Sequence, residues 1–170
     1  MILDGHETER FRFRALTIED TKIWERFIED PSSLEFFPST EFSVKEYAVY
    51  WIERQLKRYE NNEFGLHALI HKETGEFLGQ CGLLKQVVDG VPEVEIGYSL
   101  MPDHKGKGYA TEAATYCKEL AKERGYADHI ISIIHQDNIA SQNVAKRNGM
   151  TPWKDTEWNG IPVTIFRIDL

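Results

Sequence analysis

The feature that most constrains the fold is a glycine-rich junction at residues 100–111, where a strand pattern runs into a helical pattern. Gly106 and Gly108 let the backbone adopt conformations closed to other residues and approach a ligand closely. The first turn of the helix adds unpaired N–H groups and the positive end of the helix dipole. This combination predicts an anion site, most often for phosphate or pyrophosphate. A turn without a ligand is the alternative, and an isolated Gly-x-Gly would favour it.

The junction lies inside a strand–helix–strand unit. Residues 94–100 alternate as a strand, the helix extends to about Arg124 with Gly125 ending it, and an isoleucine-rich strand follows at 129–136. A crossover of this kind is right-handed and makes the two strands parallel.

The rest of the chain predicts hairpins and two capped helices. Turn signals lie at 73–75, 89–90 and 159–160, and capping boxes at 17–20 and 43–46 open helices that end near 30 and 61. The remaining strands are predicted at 11–16, 64–71, 76–85, 151–158 and 162–168. The predicted fold class is α/β (α+β mixed). One domain, residues 1–170, would hold a mostly antiparallel sheet of about seven strands with a central parallel pair, flanked by about four helices.

Composition narrows the function. The formal net charge of −8, without a basic block, argues against nucleic-acid binding and weakly suits a cationic amine. No apolar run or signal-peptide pattern suggests a membrane, and Cys81 and Cys117 are isolated thiols without metal-ligand spacing. We therefore expect a cytoplasmic protein without a disulfide or a metal. The aromatic loop at 32–42 is interpreted as a core plug, with a groove wall as the alternative.

Several residues near the junction favour a bound ligand over a plain turn. Lys105 and Lys107 add positive charge, and Thr111 adds a hydroxyl one turn into the helix. Small side chains on the inward face of the helix let it lie close to the sheet. These are Ala110, Ala113, Ala114, Cys117 and Ala121, together with Leu120.

A carboxylate precedes the junction on the strand. Glu95 shares one face with Gly97 and Ser99, which leave a slot beside it, while Tyr98 lies on the other face. A general base in a partly dry slot and a glutamate facing solvent are equally compatible with this spacing. Asn138, after the second parallel strand, is either a helix N-cap or a ligand contact. His135 is interpreted as a surface or hydrogen-bonded residue.

Taken together, these residues resemble a known family. The run Glu95-Ile-Gly-Tyr, the junction Lys105-Gly-Lys-Gly-Tyr-Ala-Thr, Asn138-x-x-Ser141 and Asn148-Gly-Met resemble the GNAT superfamily of acetyl-CoA-dependent N-acetyltransferases. The chain is most similar to the branch with the bacterial ribosomal-protein N-terminal acetyltransferases. The family's junction begins with Arg or Gln, where this chain has Lys105.

The resemblance implies a cofactor, a reaction and a set of site residues. Acetyl-CoA would place its pyrophosphate on the amides of Lys105, Gly106, Lys107, Gly108, Tyr109 and Ala110, beside Thr111. Its pantetheine arm would lie between two splayed strands and pair with the main chain of Ser99, Leu100 and Met101. Asn138 would bind the arm, Ser141 would stand near the sulfur as a possible proton donor, and Glu95 would act as general base. The acceptor would be a primary amine, either a protein N-terminus or a small molecule.

Other interpretations fit less well or stay open. A Rossmann site would need a third glycine where Thr111 stands, and no Walker A loop is present. A non-catalytic acyl-CoA-binding sensor of the same fold remains the alternative function. The sequence leaves both a monomer and a homodimer open.

Overall fold

The computed structural model describes residues 1–170, and a seven-stranded sheet forms its centre. The strands are β1 Phe11–Arg14, β2 Leu66–His71, β3 Phe77–Val88, β4 Val91–Leu100, β5 His129–His135, β6 Thr151–Trp158 and β7 Ile161–Asp169. They lie in the order β1-β2-β3-β4-β5-β7-β6. The β4–β5 pair is parallel and the other neighbours are antiparallel, so the predicted mixed sheet is confirmed.

Five α-helices flank the sheet, one more than expected. They are α1 Thr21–Glu29, α2 Pro31–Leu34, α3 Val44–Glu60, α4 Tyr109–Arg124 and α5 Ile139–Arg147. The unexpected helix is α2, because Pro31 suits a first helical position and the Asp30 side chain accepts the Ser32 N–H. None of the helices has the length and apolar character needed to cross a membrane.

The helices bury the two faces of the sheet in separate clusters. The predicted stripe of α4 is confirmed, since all six of its small or apolar side chains are buried and five of them belong to the core cluster that α4 forms with the sheet. The opposite face packs on α1 and α3, where Trp24, Phe27 and Ile52 are at most 2% exposed. A smaller apolar cluster, around Ile131 and Ile165, covers that same face near β5 and β7.

The two cysteines are not isolated from each other. Cys81 of β3 and Cys117 of α4 are free thiols whose sulfur atoms lie 3.8 Å apart in the first cluster. The close approach of α4 to the sheet brings these two thiols together, although they stand far apart in the sequence.

The aromatic loop does not plug the core. Phe37 and Phe42 are 37% and 47% exposed, because Trp24 and Phe27, with ring centroids 4.1 Å apart, already fill the space between α1 and the sheet. The loop instead lies over the end of β5, where the ring centroids of Phe36 and His135 are 5.0 Å apart. The groove-wall interpretation fits this placement.

Two glycines of the sheet, Gly82 and Gly97, differ in how closely other atoms approach them. A Cβ at Gly82 would lie 2.3 Å from the backbone oxygen of Gly65, whereas a Cβ at Gly97 would meet only the side chains of Leu84 and Leu66, at 3.1 Å and 3.5 Å. We expect Gly82→Ala to lower the free energy of unfolding by about 1–3 kcal/mol, as overpacking against fixed backbone does. Gly97→Ala is the control, because flexible side chains can yield. Urea unfolding of both variants is the measurement, and equal losses would contradict the packing argument.

Candidate active site

The glycine junction forms a row of free backbone donors. Gly106 and Gly108 have φ values of 76° and 83°, and Gly108 is the N-cap of α4. The N–H groups of residues 106–111 donate to no acceptor within the chain, and the first bond after them runs from the Glu112 N–H to the Gly108 oxygen. The exposed side chains of Lys105 and Lys107 form no ion pair. Backbone donors, the helix dipole and two free cations suit a diphosphate.

An arginine outside the predicted set braces this junction. Arg10 donates from Nη1 to the Lys107 oxygen at 2.7 Å and from Nε to Glu112 at 2.6 Å. Its guanidinium lies 4.3 Å from the centre of the Tyr109 ring. Residues almost a hundred positions apart meet here, so no sequence motif could reveal the contact.

Strands β4 and β5 pair only near their starts and then separate. At their starts Glu93 and His129 are joined by a 2.6 Å contact, and the parallel register contains only the pair Glu95 and Ile131. Beyond Ser132, which donates to the Ile96 oxygen at 3.1 Å, no pairing joins the strands. The splay that the resemblance implies is therefore present.

Only one of the three predicted main-chain positions faces this gap. The Met101 N–H donates to the Leu78 oxygen, on the β3 side. Backbone N–H and C=O groups along a strand point alternately toward its two neighbouring strands, so those of Ser99, two residues earlier, also point toward β3. Leu100 directs its N–H and C=O toward β5 instead. The expectation that Ser99 and Met101 pair with a ligand through these groups is wrong, since β3 occupies that side.

Glu95 is buried at the narrow end of the gap. The residue is 8% exposed, and its carboxylate accepts a hydrogen bond from Gln86 Nε2 at 2.8 Å. Burial raises the pKa of Glu95 to about 7, opposed by hydrogen bonds from Gln86 and the Ile133 backbone and by the charge of Arg58. The solvent-facing alternative is wrong, and a carboxylate with this pKa can take up and release protons near neutrality. The expected slot over Gly97 is filled by Leu84, whose side chain would lie 3.1 Å from a Cβ at that glycine.

A hydroxyl pair lies on the other face of β4. The Tyr98 hydroxyl is 2.9 Å from both the Ser141 hydroxyl and the Ser141 carbonyl oxygen. Asn138 is the N-cap of α5, accepting the Ser141 N–H at 3.1 Å, which leaves its side-chain N–H groups available. Burial raises the pKa of Tyr98 well above its usual value, so the phenol stays protonated. Sequence reasoning named Ser141 as a site residue but gave Tyr98 no role, although Tyr98 belongs to the run Glu95-Ile-Gly-Tyr that carries the resemblance.

Two further features lie outside this arrangement. His135 is half-buried and accepts the Asp137 N–H at 3.0 Å, in agreement with a hydrogen-bonded structural role. An open cleft lies between α1 and the β2–β3 turn, where Arg14 and Asp20 form an ion pair and Arg26 lies 3.7 Å from Asp103. These two pairs use four of its charged side chains, and the other three, Glu19, Lys22 and Glu76, form no ion pair.

Comparison with known proteins decides the family. Residues 10–151 match the model of the acetyltransferase (GNAT) domain, which covers the junction, the gap, Glu95 and Ser141. The chain belongs to the GNAT acetyltransferase family. It is therefore an acetyl-CoA-dependent N-acetyltransferase that acts on amines, and the GNAT fold accounts for the mixed sheet.

Individual proteins extend the likeness over the whole chain. The uncharacterized protein YkkB of Bacillus subtilis is 31% identical over 163 residues, which cover 94% of this chain and 92% of that protein. The crystal structure of an acetyltransferase from Agrobacterium tumefaciens is 26% identical, covers 96% of this chain and 93% of its own, and has a TM-score of 0.82. The structure of RimL, a ribosomal L7/L12 α-N-protein acetyltransferase in complex with coenzyme A, is 15% identical over 99% of this chain and 97% of its own, with a TM-score of 0.77.

Arg10 provides a test of the cofactor side of this GNAT protein. We expect Arg10→Gln to raise the KM for acetyl-CoA by roughly tenfold, because a loss of two charge-assisted hydrogen bonds loosens the junction. The value of kcat at saturating acetyl-CoA should change less than twofold, by the uniform-binding argument. Arg12→Gln, an exposed neighbour of the same charge, is the control. A normal KM in Arg10→Gln would show that the junction holds its shape unaided.

Proposed function

We propose that Glu95 is the general base of this N-acetyltransferase and that Ser141, backed by Tyr98, is the proton donor to the leaving thiolate. The observation that supports this most directly is a buried carboxylate, with a pKa near 7, at the point where β4 and β5 part. Acetyl-CoA, when bound, supplies the acetyl thioester that an amine attacks. No covalent enzyme intermediate is needed, because both cysteines are buried away from the gap.

The cofactor-binding set follows from the free groups around the gap. Residues 106–111 would hold the diphosphate through their free backbone N–H groups, Lys105 and Lys107 through their side chains, and Thr111 through its hydroxyl, whereas the Lys105 N–H donates to the Pro102 oxygen. Leu100 would pair with the pantetheine arm through its main chain, since its N–H and C=O point into the gap. Asn138 would contribute its free side-chain N–H groups.

The base and the acid stand on opposite faces of β4, which suits the reaction. An ammonium ion cannot attack a thioester, so Glu95 accepts a proton from the incoming amine, directly or through a water. Successive strand side chains alternate, so Tyr98 and Ser141 lie on the far side. There the Ser141 hydroxyl can donate to the leaving thiolate, while the Tyr98 phenol holds Ser141 in place by donating its proton to the Ser141 carbonyl oxygen.

The pKa of Glu95 favours an α-amine as the acceptor. An α-amine with a pKa near ~8 gives up a proton to such a base at little cost, whereas a lysine amine near ~10.4 does not. A protein N-terminus, the acceptor class named for RimL, meets this requirement, and so does a small molecule whose α-amine has a pKa in the same range. We also propose that the chain acts as one domain, because one sheet takes strands from Phe11 to Asp169.

Replacement of Glu95 tests the base. We expect Glu95→Gln to lower kcat by about 10²-fold or more, the usual contribution of a general base, with the KM for acetyl-CoA unchanged. The glutamine keeps the contact with Gln86, so the fold is retained. Thiol release from acetyl-CoA in the presence of an α-amine is the measurement, and Glu53→Gln, an exposed glutamate of α3, is the control.

The dependence of activity on pH also tests Glu95 as the base. Only ionised Glu95 can accept a proton, so the activity of the unmodified enzyme should rise through about pH 7 and then level off. That inflection should vanish in Glu95→Gln. Full turnover in the variant would place the base elsewhere, and no thiol release by the unmodified chain with any amine would favour the sensor alternative.

A further inference from the structure

We infer that Arg58 and Arg54 of α3 form an anion subsite beside Glu95, so that the acceptor is a primary amine carrying a carboxylate, as an amino acid does. The inference rests on the proposed function, because it takes Glu95 as the point where the amine is deprotonated. Neither arginine belongs to the motifs that identified the family, and both follow from the packing of α3 on the sheet.

Hydrogen bonds fix where Arg58 lies. Gln55 is 3% exposed. Its side-chain oxygen accepts hydrogen bonds from the Leu66 N–H at 2.9 Å and from Arg58 Nη1 at 3.0 Å. The start of β2 and the last turn of α3 are thereby tied together. Arg58 is three residues beyond Gln55, so it lies further toward the end of α3 where the chain turns back into the sheet.

The sheet register places that end of α3 over Glu95. Across the sheet, Leu66 of β2 pairs with Gly82 of β3, and Gly82 pairs with Gly97 of β4. Two residues along β3 and β4, on the same face and toward the C-terminal end of α3, Leu84 pairs with Glu95. Arg58 is close enough there for its charge to act on the Glu95 carboxyl. The base and the guanidinium thus border the same narrow end of the gap.

The charge of Arg58 is only partly offset within the chain, by the carboxylates of Glu95 and Glu63, which lie beyond ion-pair distance. No carboxylate lies within ion-pair distance of Arg54 or Arg58, and the one side-chain bond of Arg58 is to a neutral amide. Arg58 is half-buried, and burial and the neighbouring Arg54 lower the pKa of its guanidinium. Two adjacent cations without an ion pair repel one another, and a bound anion would relieve that repulsion.

This arrangement selects among acceptor classes. A guanidinium binds a carboxylate through two parallel N–H bonds, which would orient an α-amine a few bonds away toward Glu95. Polyamines and aminoglycosides, as polycations, would be repelled, so the weak preference for cationic acceptors drawn from the net charge of −8 does not extend to this groove. The Arg54 guanidinium also lies 5.4 Å from the ring centre of Tyr50, whose ring centroid is 5.3 Å from that of the exposed Phe42, so aromatic surface adjoins the two arginines.

Amines that differ only in carrying a carboxylate or a carboxamide test the anion subsite. Thiol release is measured with glycine, serine, methionine, phenylalanine and glutamate, each beside its carboxamide, with rates expressed per concentration of unprotonated amine. We expect kcat/KM to favour one or more of the acids over the matched carboxamide by roughly tenfold or more. Arg58→Gln should remove that preference, Arg58→Lys should keep part of it, and the exposed Lys57→Gln should leave it intact.

A binding measurement judges the subsite without turnover. In the presence of coenzyme A, the N-acetylated acids of the same panel should raise the Tm of the unmodified chain more than their amides do, and Arg58→Gln should abolish the difference. If carboxamides react or bind as well as acids, the inference is overturned while the transferase stands. If no amine releases thiol, the proposed function fails, and the binding comparison still decides for or against the subsite.

Discussion

The separation of β4 from β5 is the constraint on which the rest of the molecule depends. Adjacent strands normally satisfy each other's backbone groups, and leaving buried N–H and C=O groups without partners is costly. Here Glu93 and His129 join the two strands at their starts, the register ends at Glu95, and the chain then holds the strands apart. The resulting gap has main-chain donors on its wall, a buried carboxylate at its narrow end and the glycine junction at its open end.

Strand β4 places different functional groups on its two faces. Because side chains alternate, β4 presents Glu95 to the face covered by α3 and Tyr98 to the face covered by α5. An acid and a base can therefore act on one reacting centre without neutralising each other. In the proposed function, the same alternation would separate the acceptor side, with Arg58 and the aromatic loop, from the cofactor side, with Asn138 and Ser141.

Local sequence signals were sufficient for the elements and for the glycine junction. Periodicity, capping boxes and turn residues predicted every strand and the four longer helices, because these depend on neighbours in the chain. The burial of Glu95 could not be read from spacing, since it depends on Gln86 of β3, Ile133 of β5 and the covering helix α3. The contacts of Arg10 with Glu112, of Tyr98 with Ser141 and between the two cysteines join distant segments, and only the folded chain brings them together.

In the proposed site, the backbone donors of residues 106–111 bind the diphosphate of coenzyme A and so direct the thioester into the gap. Amide hydrogen exchange with and without coenzyme A measures this binding at each residue. We expect slower exchange in the presence of coenzyme A at the N–H groups of residues 106–111 and along the edges of β4 and β5 that face the gap. Protection confined to the cleft between α1 and the β2–β3 turn, with the junction unchanged, would contradict it.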